Sequence, residues 1–165
     1  MVSVPQIGER YRGVEGHSGF LLRQAMQALR GAMERALREH RVTPAQYSVL
    51  SVLGRDPGLS AADLARATNT TPQATNGVVA TVEREGLVER HPHPTHGRIQ
   101  QLELTADGRR RLEAATPAVR ELENAIEQGF SEAEIAAVKA WLVTAAERLE
   151  GLGGRPAPAA RTNAR

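Results

Sequence analysis

Cysteine is absent from the 165-residue chain, which excludes disulfides, thiolate metal ligation and thiol-based redox sensing. Aromatic residues make up only 3%, so a core has to be built from leucine, valine and alanine. That composition suits packed helices better than a β-sandwich. Lysine occurs once, at Lys139; arginine carries the remaining positive charge and is the better side chain for bidentate phosphate or guanine contacts. No apolar run approaches the ~18 residues of a membrane span, and residues 1–13 lack the apolar stretch of a signal peptide. A cytoplasmic location without a membrane partner is expected. The glycine-rich phosphate loop, the paired-histidine zinc motif and the serine nucleophile elbow are all missing. Neither catalysis nor a cofactor is expected.

What is present is helix punctuation. Residues 1–16 mix proline, glycine and charge without periodicity and read as a loose segment. From about His17 to His40, Leu22, Ala25, Leu29, Ala32 and Ala36 recur at alternating three- and four-residue steps, the mark of an amphipathic helix. Thr43-Pro44-Ala45-Gln46 is a capping box with proline at the first helical position, opening a helix with Tyr47, Leu50 and Leu53 inward. Ser60 caps the next, with Leu64 and Ala65 facing in. Thr68-Asn69-Thr70 reads as a turn; Thr71 and Pro72 then open a helix that buries Val78, Val79 and Val82 and stops at Gly86.

The only β signal follows. Leu87 to His91 and Arg98 to Leu104 are short extended segments around a proline- and histidine-rich tip at 91–97. Two more helices close the chain. One starts at Thr105, carries Leu112, Ala115, Val119, Leu122 and Ile126, and should kink at Pro117. The other starts at the capping box Ser131 to Glu134 and carries Ile135, Val138, Leu142, Ala145 and Leu149, while Trp141 is expected in a core or a helical seam. Residues 151–165 read as a disordered basic tail.

Helix, helix, turn, helix and hairpin is the order of a winged helix-turn-helix, whose second helix fits the major groove of duplex DNA. The expected fold is mainly α with a small β-hairpin wing, the winged module spanning about 43–104. Thr70, Thr71, Gln73, Ala74, Thr75 and Asn76 start the recognition helix. Short polar side chains there can reach base edges or phosphates, and glutamine and asparagine can pair bidentately with adenine. The outer helices, 17–40 and 105–150, read as a dimerisation layer within a 17–150 domain. A homodimer would present two recognition helices to a pseudo-palindromic operator.

Five blocks resemble the MarR family of transcriptional regulators. They are Gly19 to Ala25, Val42 to Leu50, Leu59 to Ala65, Glu83 to Arg90 and Leu104 to Gly108, in the family's order and spacing. The resemblance implies an obligate dimer, wings that reach the minor groove, and a repressor released by a small, often phenolic or aromatic, effector near the junction of the two layers. It maps a wing-tip arginine onto Arg98, but places His96 and His93 where acidic residues are expected and Gly77 where many members have arginine. The three wing histidines, His91, His93 and His96, are not expected to bind metal. Residues 60–111 hold seven arginines against six acidic residues, so the module is close to neutral. That leaves a second reading open: a winged-helix module that binds another protein, or a regulator with weakened DNA binding.

Overall fold

The computed structural model describes residues 4–92 and 100–153. The chain forms two compact units, residues 1–123 and 124–165, each treated by itself below. In the first unit a 3₁₀ turn at Arg10–Arg12 precedes α1 (Ser18–Leu37), α2 (Pro44–Arg55), α3 (Ala61–Ala67) and α4 (Pro72–Arg84). An antiparallel hairpin follows, β1 (Val88–Pro92) with β2 (Gln100–Leu104), and then α5 (Ala106–Glu127) begins. The second unit contains the end of α5 and α6 (Glu132–Gly153).

The caps form where the sequence puts them. Thr43 Oγ1 accepts from the Gln46 N–H at 3.2 Å while Gln46 Oε1 accepts from the Thr43 N–H at 2.8 Å, so two amides that the helix cannot satisfy are satisfied reciprocally. Ser60 and Thr71 cap α3 and α4 one-sidedly, each accepting a single N–H, from Asp63 and Ala74 respectively, and Ser131 pairs with Glu134 at the start of α6. The turn between α3 and α4 passes through Asn69 at φ +51°, a left-handed conformation that asparagine tolerates.

The apolar core of the first unit is built from leucine and valine, with Tyr47 packed against it. Leu50, Leu53, Leu64, Val79, Val82 and Leu102 are almost fully buried, with Leu87, Val88 and Leu104 closing the hairpin side. Val49 and Val52 are also buried, which the spacing of Tyr47, Leu50 and Leu53 does not reveal. Leu59 adds a single bridge to the hairpin, its carbonyl accepting from the Leu102 N–H at 2.9 Å.

The expectation for the N-terminal segment needs correction. Residues 4–16 are not loose: Gly8 N–H reaches Arg12 O at 3.1 Å, Arg12 N–H reaches Glu9 O at 2.9 Å, and Pro5 is buried. Closely spaced backbone bonds substitute for the missing periodicity. Trp141, expected in a core or a helical seam, is 47% exposed in the second unit, which takes it out of a core among the described residues and leaves the seam. In addition, α5 is continuous through Pro117, and α6 continues through Gly151 to Gly153, where a tail was expected to start. The rest of that tail lies outside the described residues.

One junction sets how α4, the hairpin and α5 meet. The end of α4 is a Schellman motif: Gly86, at φ +71°, donates to Glu83 O at 2.9 Å, and Leu87 N–H reaches Val82 O at 2.8 Å. Thr105 grips the same turn, its N–H donating to Leu87 O at 3.1 Å and its hydroxyl to Gly86 O at 2.7 Å. The hydroxyl also accepts from the Gly108 N–H at 3.0 Å, which caps α5. A Cβ on Gly108 would overlap the Leu87 carbonyl oxygen, so this position admits only glycine. We expect Gly108→Ala to cost about 1–3 kcal/mol of unfolding free energy in urea, as overpacking does. Gly77, with nothing within 4 Å of its Cβ position, provides the contrast: Gly77→Ala should stabilise α4 by about 0.5–1 kcal/mol.

Candidate nucleic-acid interface

The first turn of α4 and the two residues before it carry the polar cluster. Thr70, Thr71, Gln73, Ala74 and Asn76 are exposed, and they stand together at one end of the helix. The helical period explains the division. Thr75, Val79 and Val82 are buried and Val78 is half-buried, which leaves Gln73, Asn76, Gly77, Ala80 and Arg84 on the outward face. Thr71 Oγ1 accepts from the Ala74 N–H at 3.2 Å, and Pro72 has no N–H to offer.

Thr75 departs from its expected place among the exposed contacts. It is 2% exposed, and its hydroxyl meets the Thr70 hydroxyl at 2.7 Å. Thr70 is in turn 2.8 Å from the Thr68 hydroxyl, which donates to Leu64 O at 2.8 Å. This chain of hydroxyls ties the turn to the core side of α3 and α4 and fixes the Thr70 side chain at the helix start. Thr75 is therefore a positioning residue. The period of α4 was visible in the sequence, but the polar character of Thr75 concealed that it sits on the valine face.

His96 and Arg98 lie outside the described residues. The hairpin that leads to them is described as far as Pro92 and from Gln100, with Val88 opposite Leu104 and Pro92 opposite Gln100. Its inner face is anchored by Val88, Leu102 and Leu104; its outer face carries Glu89 opposite Glu103.

Several supporting groups gave no recognisable signal in the sequence. Arg90 on β1 forms a bidentate pair with Glu83 on α4, Nε to Oε1 at 2.5 Å and Nη2 to Oε2 at 2.9 Å. Glu83 holds the Arg90 guanidinium above its ordinary pKa, against a smaller opposing effect of burial. Gln46, 7% exposed, donates to the Glu85 carboxylate at 3.2 Å, tying the capping box of α2 to the last turn of α4. Arg111 on α5 donates to the carbonyls of His40 and Arg41, at 3.4 and 3.1 Å. On α3, the Ser60 hydroxyl and then Arg66 hold the Asp63 carboxyl below the usual range. The Asp63 contacts are local to the start of α3; the others are pairings between elements that local pattern does not encode.

A helix of this kind, capped and anchored with its polar end outward and followed by a hairpin, defines a winged helix-turn-helix. The comparisons agree. The MarR family model matches residues 41–99. The chain is 37% identical over 102 residues to the HTH-type transcriptional repressor Rv2887 of Mycobacterium tuberculosis, covering 62% of this chain and 73% of that one. CouR of Rhodococcus jostii RHA1, solved as a transcriptional repressor on a 23-mer DNA duplex, superposes with a TM-score of 0.74 at 25% identity, covering 87% of this chain and 99% of CouR. Bordetella bronchiseptica BpsR, whose DNA binding is regulated by 6-hydroxynicotinic acid, gives 0.74 at 25% identity over 81% and 95% of the two chains. This chain belongs to the MarR family of transcriptional regulators.

The Glu83–Arg90 pair links the recognition helix to the wing, so its loss should affect binding more than folding. Both side chains are partly exposed, 25% and 36%, which limits the pair to about 1 kcal/mol or less of stability. We expect Glu83→Gln to shift the urea midpoint slightly and to lower operator affinity by a larger factor. A double-mutant cycle with Arg90→Gln, read by fluorescence anisotropy on labelled duplex, checks that the two substitutions act through one contact.

Proposed function

We propose that the chain is a repressor that binds a pseudo-palindromic operator as a homodimer, with one α4 from each subunit in the major groove. The observation that carries this reading is the exposed polar start of α4, where Gln73 and Asn76 project from a helix held at both ends. Thr70 and Thr71 stand beside them to meet the phosphate backbone, with Ala74 small enough for a thymine methyl to approach. His96 and Arg98 complete the proposed contact set on sequence grounds alone. The names of the relatives support a repressor, and the DNA complex of CouR supports duplex DNA as the partner.

Dimerisation is supported by what α6 leaves uncovered. Val138, Trp141, Leu142, Val143, Leu149 and Leu152 are each 42–63% exposed. Apolar surface on this scale along one helix calls for a partner. Release by a small aromatic effector is supported by BpsR, which 6-hydroxynicotinic acid regulates. The proposed protein is a cytoplasmic regulator and not an enzyme; among the described residues no helix is long and apolar enough to cross a membrane.

The test is direct readout. On a duplex from the gene's own upstream region, Gln73→Ala and Asn76→Ala should each weaken binding by about 1–3 kcal/mol. Binding to a random duplex of equal length at equal salt should change far less. Equal losses on both duplexes would confine these side chains to the phosphates, and no loss on either would remove α4 from the interface.

A further inference from the structure

The hydroxyls of Thr68, Thr70 and Thr75 form a chain whose two ends differ, and the difference fixes which oxygen donates at each link. At one end Thr68 Oγ1 lies 2.8 Å from Leu64 O, a contact that only the threonine proton can bridge. With that proton spent, the 2.8 Å contact between Thr68 and Thr70 requires Thr70 to donate. The 2.7 Å contact between Thr70 and Thr75 then requires Thr75 to donate. Protons therefore run one way, from Thr75 through Thr70 and Thr68 to the Leu64 carbonyl. The opposite direction fails at both ends. It sets two oxygens 2.8 Å apart at Leu64 with no proton between them. It also strands the hydroxyl proton of Thr75, which is 2% exposed and has no other acceptor among the described residues.

The direction matters at Thr70, the exposed member of the chain. Its one proton points inward to Thr68 and one of its lone pairs is taken by Thr75. A hydroxyl that ordinarily serves as donor or acceptor thus presents only a lone pair to whatever docks on α4. A phosphate oxygen brings lone pairs of its own and forms no bond there. Thr71 differs: its Oγ1 accepts from the Ala74 N–H at 3.2 Å, and its proton meets no acceptor among the described residues. That proton is free for a phosphate. In the major groove, the hydrogen-bond donors are the exocyclic amines of adenine and cytosine, whereas guanine and thymine present acceptors.

We propose that Thr70 is a specificity-determining residue: an obligate acceptor that selects the amine of adenine or cytosine at one base pair of each half-site. The inference rests on the operator reading above and refines it, leaving the phosphate contact to Thr71. Thr68 and Thr75 act through Thr70 and are positioning residues.

The experiment is anisotropy titration of the full chain against the duplex from the gene's own upstream region and a set of its single-base variants. At one position per half-site, wild type should bind adenine or cytosine about five- to tenfold more tightly than guanine or thymine, the scale of one hydrogen bond. N6-methyladenine or N4-methylcytosine there keeps the base pair but puts a methyl group in place of the free amine hydrogen, and should cost as much. Thr70→Val should erase the preference at that position alone, and Thr70→Ser should keep it. Because Thr70→Val leaves the buried Thr75 proton without an acceptor, Thr70→Val/Thr75→Val, which removes both partners, is titrated beside it and should give the same result. Thr68→Val frees the Thr70 proton and should turn the preference toward guanine or thymine, a reversal that lost packing would not produce. Equal weakening on every duplex by both valine variants would make Thr70 a phosphate contact, and unchanged binding would make it a turn residue; either overturns the proposal. So does an adenine or cytosine preference that survives Thr68→Val intact. Gln73→Ala and Asn76→Ala on the same duplexes keep the two readings apart. Sequence-dependent losses there with none at Thr70 sink this inference alone, whereas wild type that binds every duplex equally sinks the operator reading with it.

Discussion

The carbonyls of Gly86 and Leu87 are the point on which the winged module turns. Both belong to the turn that ends α4, and both accept from Thr105, through its hydroxyl at 2.7 Å and its N–H at 3.1 Å. A helix end usually leaves such carbonyls to water. Here they are taken by the residue that starts α5, and the close approach of Gly108 seals the contact. The recognition helix, the hairpin and the first turns of α5 therefore share one rigid joint. The Gln46–Glu85 and Glu83–Arg90 pairs brace the same end of α4 from α2 and from β1. With its C-terminal end fixed three ways, α4 can carry an exposed, polar start without losing its direction.

Aliphatic composition decides the rest. A core of leucine and valine fills the winged module, with half-buried Tyr47 packed against it, and the other four aromatics go elsewhere: Tyr11 and Phe20 to a cavity between the N-terminal segment and α1, Trp141 and Phe130 to exposed positions in the second unit. The second unit is described by the same logic in reverse. Among the described residues its helix α6 buries none, although Val138, Leu142 and Leu149 recur at helical spacing. Such a stripe is stable in water only when another apolar surface meets it. Near-neutral charge in the DNA-binding module makes specificity depend on side-chain geometry more than on a general attraction for phosphate.

Most of the fold was legible because its signals are local. Thr43 with Gln46, Ser60, Thr71 with Pro72, and Gly86 each marks a helix end through bonds within a few residues, and each forms as expected. The valine face of α4 follows from the helical period. What could not be read are contacts whose partners are distant in sequence. Gln46 announces a capping box and gives no sign of Glu85, 39 residues away. Thr105 announces a cap and gives no sign that its hydroxyl also holds Gly86. The N-terminal segment was misread because its order comes from backbone bonds around Gly8 and Gly13 and from Arg12, none of which has a period. At Thr75 the two signals conflict: its polar type points outward and its place on the helix points inward, and the helix position wins.

The central claim is that Gln73 and Asn76, held outward on an immobilised α4, read bases rather than backbone. Replacing the adenines of one operator half-site one at a time by 7-deazaadenine removes the N7 acceptor without disturbing pairing. Anisotropy titrations of wild type, Gln73→Ala and Asn76→Ala against each substituted duplex then form a set of cycles between protein and base. At one or two positions, wild type should lose about 1–3 kcal/mol, and the variant lacking the partner side chain should lose nothing further. The same loss in wild type and in both variants at every position would contradict the account and leave α4 as a helix that touches DNA without reading it.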